Sequence, residues 1–133
     1  MTRQSMSMLS LQTVYRALVI GASALEIGDF SPEKSIRHLN PDAFMAQFSV
    51  NPVGPALVLK HFTPKMAREG RSIIAFQSAR VGSIGDNRLG GWISYRKAKA
   101  ALDQIVRTAP IEIARSLSRD VVVAMYWQSR GRC

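Results

Sequence analysis

Cysteine is nearly absent from this sequence: the 133-residue chain has one, Cys133. A single thiol can build neither an internal disulfide nor a cysteine metal cluster, which fits a reducing compartment. It also stands last, whereas prenylation needs a cysteine fourth from the end. Long apolar runs are missing too. No stretch approaches the roughly twenty residues that cross a bilayer, and Met1 to Leu25 lacks the uninterrupted apolar core of a secretory signal. The expectation is a cytoplasmic protein with no membrane partner. Acidic residues are few, 9 against 18 basic, giving a formal charge of +9. Such a surplus attracts polyanions. The basic residues are dispersed from Arg3 to Arg132, without a run or interleaved aromatics, so no specific nucleic-acid partner is expected. His38 and His61 are far apart and lack cysteine or paired acidic neighbours, so no metal site is expected either. Internal repeats and low-complexity tracts are also absent. A hydrophobic content of 47% is enough for one core, hence a single domain.

What is present alternates between strand and helix signals. Ala17-Leu18-Val19-Ile20 reads as a buried strand closed by Gly21-Ala22-Ser23. Ser31-Pro32-Glu33 has the cap, proline and first-turn acid of a short helix reaching Leu39, and Asn40-Pro41-Asp42 repeats that start. From Pro41 to about Arg68, Phe44, Met45, Phe48, Val53, Leu57, Val58 and Phe62 recur at helical spacing, which predicts a long helix with that face buried. Pro52 and Pro55 predict a kink around Asn51. Ser72 to Phe76 reads as a strand covered on both faces, with Ser78 at its carboxyl end. A loop with Gly82, Gly85, Gly90 and Gly91 leads to a helical segment from Trp92 to Leu117, and Pro110 inside it predicts a bend or an early end. Val121 to Met125 is the third strand. Met45, Met66 and Met125 are read as core fillers, and residues 128–133 as a disordered polar tail. This alternation indicates an α/β protein with a parallel sheet of about three strands.

Tyr95 and Lys99 stand four apart in the last helical segment, so they share one face. A phenol with a pKa of about 10 is a poor acid/base near neutrality, and an adjacent ammonium lowers that pKa by favouring phenolate. The pair can therefore serve proton transfer.

Asn51 at a proline-marked kink, Ser78 at a strand end, the glycine-rich loop and Tyr95-Arg96-Lys97-Ala98-Lys99 together resemble the short-chain dehydrogenase/reductases. That family carries an Asn, a Ser and a Tyr-x-x-x-Lys motif in this order on the same elements. Ser78-Ala79-Arg80-Val81-Gly82-Ser83-Ile84, Asp86-Asn87-Arg88-Leu89-Gly90-Gly91-Trp92 and Ser94-Tyr95-Arg96 are similar to its C-factor branch, as is Pro32-Glu33-Lys34-Ser35. The resemblance implies a partial doubly wound, Rossmann-like fold and NAD(P)-dependent carbonyl reduction or alcohol oxidation of a small substrate. By resemblance, Tyr95 is the general acid/base. Lys99 lowers its pKa and holds the nicotinamide ribose. Ser78 bonds the substrate oxygen, and Asn51 holds a water of the proton relay. Tyr95, Lys99 and Asn51 would then border the NAD or NADP.

The family's TGxxxGxG phosphate loop is not found in the sequence. Gly21-Ala22-Ser23-Ala24 stands where an Asn-Asn-Ala-Gly strand end would be, and Tyr126-Trp127-Gln128 replaces a Pro-Gly turn. Residues 1–133 are thus read as one truncated domain without its N-terminal dinucleotide-binding unit. Two functions follow from the resemblance. One is a short-chain oxidoreductase impaired by truncation. The other is a non-catalytic remnant whose two long helices associate with a second copy or a full-length relative.

Overall fold

The computed structural model describes residues 14–21 and 25–127. The expected tail, and most of the degraded strand end at 21–24, lie outside the described residues. Three parallel strands form one sheet in the order β1-β2-β3: β1 Ala17–Ile20, β2 Ser72–Gln77 and β3 Val121–Tyr126. The register sets Ala17 beside Ile73 and Ile73 beside Val122. Parallel neighbours need long crossovers, and these are helical: α1 Pro41–Phe48 and α2 Gly54–Phe62 between β1 and β2, and α3 Ile93–Leu117 between β2 and β3. The α/β class expected from the sequence is the one observed.

Asn40 starts α1 as the sequence predicts, its side-chain oxygen accepting from the backbone N–H groups of Asp42 and Ala43. Pro52 then falls within a π-helical turn, Ser49–Val53, that joins α1 to α2. The wider turn accommodates a residue without an amide proton, and the expected kink takes this form. The helix ends earlier than Arg68, at Phe62, followed by a 3-10 turn at Thr63–Lys65 built around Pro64. The buried stripe also differs from the expected one. It runs Ala43, Gln47, Asn51, Pro55, Leu59 in steps of four, while Met45 (65% exposed), Val53 and Leu57 face outward.

The helix expected from Ser31 to Leu39 reduces to one 3-10 turn at Ile36–His38. Glu33 does not start it; the tertiary fold uses that carboxylate elsewhere. At Pro110 α3 neither ends nor divides, and it runs 25 residues. Its buried positions Leu102, Val106, Ala109 and Ile113 join Leu59 of α2 in one cluster with Ile20, Ile74, Phe76 and Val121 of the sheet. Both crossovers therefore cover the same sheet face. β2 is consequently not covered on both sides: Ile73 and, on its neighbours, Val19 (67% exposed) and Val122 are open. Met66 is in the core as expected, whereas Met125 is partly open beside β2. No helix among the described residues is long and apolar enough to cross a membrane.

Candidate active site

The carboxyl end of β2 meets the first half of α3. Tyr95, Lys99 and Asp103 follow one another at i, i+4 and i+8, so they line one face of the helix. Ala98, Lys99 and Leu102 are fully buried. Lys99 Nζ donates to the carbonyl of Gln77, the last residue of β2, at 3.2 Å, and sits 5.7 Å from the centroid of the Tyr95 ring. One residue further, Ser78 Oγ donates to Asp103 Oδ1 at 3.0 Å. The backbone of Ser78 is held by a hydrogen bond from its N–H to the Tyr126 carbonyl. Helix and strand end are thus joined by two polar links.

Burial lowers the Lys99 pKa to about 8, against the upward pull of the Asp103 carboxylate. Burial pushes the Asp103 carboxyl above its ordinary value, opposed by the Ser78 hydrogen bond and the Lys99 charge. Next to them, the 3-10 turn Arg80–Gly82 lies directly on α3. A Cβ at Gly82 would stand 2.9 Å from Lys99 Cβ and 3.0 Å from the Lys99 carbonyl carbon, so only glycine fits without displacing the helix. This gives the glycine after Ser78 a packing role.

The start of α3 is held from outside. Gly90, Gly91 and Trp92 all have positive φ, and Trp92, at 57°, offers no side-chain cap. Glu33, itself buried, takes that place: its carboxylate accepts from the Ser94 N–H at 3.3 Å and from the Ser94 hydroxyl. Its backbone carbonyl accepts from the Trp92 N–H at 2.6 Å. A carboxylate at a helix N-terminus also opposes the positive end of the dipole. Trp92 meets the Tyr95 ring edge-on at 6.4 Å. Lys97 ties α3 to α1, donating to the Phe44 carbonyl at 2.7 Å over the Phe44 ring. Burial lowers its pKa to about 8, opposed by the charge of Glu33.

Of the four residues singled out by sequence, Tyr95, Lys99 and Ser78 gather around the end of β2. Asn51 lies fully buried in the π turn, where its Nδ2 donates to Gln47 Oε1. Gln47 in turn donates to the Leu25 carbonyl at 2.7 Å, so this pair anchors the segment after β1. The sequence pattern alone does not single out Asp103, Glu33 or Gly82 as site residues. The signal for Asp103 was its spacing, one further helical step from Lys99.

An open groove lies elsewhere. About 860 Å³ opens between α2 and the second half of α3, lined among others by Pro52, Leu59, Ile105, Glu112 and Leu117, and it touches none of Tyr95, Lys99 or Ser78. That groove is mainly apolar, whereas Tyr95, Lys99, Ser78 and Asp103 form a polar cluster at the end of β2. Among the described residues no group of His, Cys, Asp or Glu is arranged to hold a metal ion. The donor set at the cluster does fit the sugar end of a nicotinamide nucleotide, since a phenol and an ammonium on one helix face can bond neighbouring hydroxyls.

No protein-family model matches the chain. An uncharacterised oxidoreductase of Schizosaccharomyces pombe is 30% identical over 73 residues, which are 55% of this chain and 29% of that protein. The C-signal protein of Myxococcus xanthus is 32% identical over 66 residues, 50% of this chain and 40% of the other. Among solved structures, a Burkholderia multivorans protein assigned as a short-chain dehydrogenase/reductase, with bound NADP, shares the fold. Its TM-score is 0.71 at 24% identity, covering 92% of this chain and 49% of the other. The chain thus spans about half the length of that solved relative, and the aligned stretches are under half of the curated ones.

Proposed function

We propose that the chain is an NAD(P)-dependent oxidoreductase of the short-chain dehydrogenase/reductase type, a reading supported by its partial likeness to an oxidoreductase and to the C-signal protein and by the fold it shares with a solved short-chain dehydrogenase/reductase. It would interconvert a small carbonyl compound and the corresponding alcohol. The observation that carries this reading is the buried Lys99 ammonium beside the Tyr95 ring at the end of β2. When bound, a nicotinamide nucleotide supplies or accepts the hydride. In the reducing direction, Tyr95 delivers the proton to the carbonyl oxygen, which becomes the alcohol hydroxyl. The phenolate that remains lies beside the Lys99 ammonium, and in the reverse direction it takes the hydroxyl proton. Lys99 and Tyr95 would also hold the ribose. Asn51, through Gln47, ties the kinked helix to the segment after β1. Ser78 reaches a substrate oxygen only by redirecting the hydrogen it gives to Asp103. Oxidation of NADPH by purified protein with a panel of small aldehydes and ketones tests the reading. Turnover should fall at least a hundredfold in Tyr95→Phe, and equal rates in both proteins would remove Tyr95 from its role.

A second reading is favoured by the 860 Å³ groove. Val53 of the π turn, Leu57 of α2 and Ile111 and Leu117 of α3 lie open, and Lys60 and Glu112, of opposite charge, both line the cavity. We propose that a second copy of this chain covers it, each Lys60 facing the other copy's Glu112. Sedimentation should give a dimer that Leu57→Glu dissociates; a wild-type monomer at all concentrations would contradict this reading.

A further inference from the structure

Asp103 joins the two polar links of the cluster. It accepts the Ser78 hydroxyl hydrogen at 3.0 Å, its charge acts on Lys99 one helical turn away, and its Oδ2 lies 3.1 Å from where a Cβ on Gly82 would stand. A hydroxyl has one hydrogen to donate. While Asp103 is ionised, that hydrogen points from the strand end to the carboxylate on α3 and is offered to no other acceptor. We propose that Asp103 is a positioning residue of this site, which fixes the direction of the Ser78 hydroxyl and holds the charge of Lys99.

The inference rests on reading Tyr95 and Lys99 as the proton-transfer pair, because only then does the Lys99 charge matter to a reaction. Its physical content is separate. The groups facing Asp103 among the described residues are Lys99 on its own helix, the Ser78 hydroxyl from the end of β2 and Gly82 from the 3-10 turn. Lys99 is the ionisable one among them. It in turn faces Tyr95 on its own helix and the uncharged Gln77 carbonyl from β2. A carboxylate beside a buried ammonium stabilises the protonated form, so its removal must lower the pKa of that ammonium.

The test is a pH titration of the lysine side-chain carbons by NMR, with the Lys99 signal assigned by its loss in Lys99→Arg. In Asp103→Asn the Lys99 midpoint should fall by half a unit or more below the wild-type value, and Asp103→Glu should restore most of the shift. An unmoved midpoint in folded Asp103→Asn would overturn the proposal. Should that variant not fold, Ser78→Ala carries the test. Loss of the hydroxyl donor should raise the Asp103 carboxyl midpoint, and an unmoved midpoint would overturn the proposal equally. NADPH titrations of the same proteins separate the two ideas. A Lys99 shift without cofactor binding in any of them defeats the oxidoreductase reading and leaves Asp103 its role, whereas binding without a shift does the reverse.

Discussion

The two faces of the sheet are built from similar residues and have opposite fates. On one, Ile74 and Phe76 lie wholly buried under Leu102 and Val106 of α3, and this layer also carries Tyr95 and Lys99. On the other, Val19, Ile73 and Val122 stand open, in two neighbouring rows across β1, β2 and β3: Ala17 beside Ile73 and Val122, and Val19 beside Ala75 and Ala124. Parallel sheets are ordinarily covered on both sides. The covered face alone supplies the rigid floor on which the polar cluster is assembled, so stability and chemistry in the described part of this chain depend on the same layer.

The contrast can be broken first at its strongest point. Phe76→Ala should cost about 3–5 kcal/mol, enough to unfold the protein, because its cavity lies where sheet and α3 meet. Thermal melting followed by circular dichroism reads this directly. Gly82→Ala comes next. The new methyl would press on the backbone of α3 at Lys99, and overpacking of this kind costs about 1–3 kcal/mol. It should also displace Lys99, visible as a shifted titration midpoint in the folded fraction.

Lys99→Met sharpens the comparison through pH. The Lys99 pKa lies near 8 in the folded chain, below the ordinary 10.5. Between those values the unfolded chain binds a proton that the folded one does not, so stability rises with pH across that window and is lost as pH falls through about 8. The difference in melting temperature between pH 7.5 and 9.5 should therefore shrink in the variant, leaving the share that Lys97, also lowered to about 8 by burial, contributes by the same sign. An unchanged difference would mean that Lys99 is solvated in solution. Smallest of all, Val122→Thr on the open face should change stability by no more than about 0.5 kcal/mol. A larger loss would show that this face is covered in solution.

Much of this was legible in the residues. The three strands were readable because each is a short apolar run bounded by turn signals, and the helix start at Asn40-Pro41 because capping is local chemistry. Tyr95 and Lys99 were readable because four-residue spacing fixes a shared face whatever surrounds it. What escaped depends on contacts distant in sequence. Glu33 has the local signature of a helix start, yet it caps α3 some sixty residues later. The apolar period from Phe44 to Phe62 pointed to the wrong face: Gln47 and Asn51, tied to each other and to the Leu25 carbonyl, are buried in place of Met45 and Val53. Pro110 was expected to bend or end α3, but the packed face running from Leu102 to Ile113 outweighs one missing hydrogen bond. Covering of one sheet face but not the other cannot be read from β2 itself, whose residues are apolar on both sides.

The most direct measurement is calorimetric titration of the purified protein with NADPH, repeated with Lys99→Met. Saturable binding in the micromolar range, lost in the variant, is what a nicotinamide site built on Tyr95 and Lys99 predicts. Absence of binding up to millimolar NADPH in folded wild-type protein would contradict it.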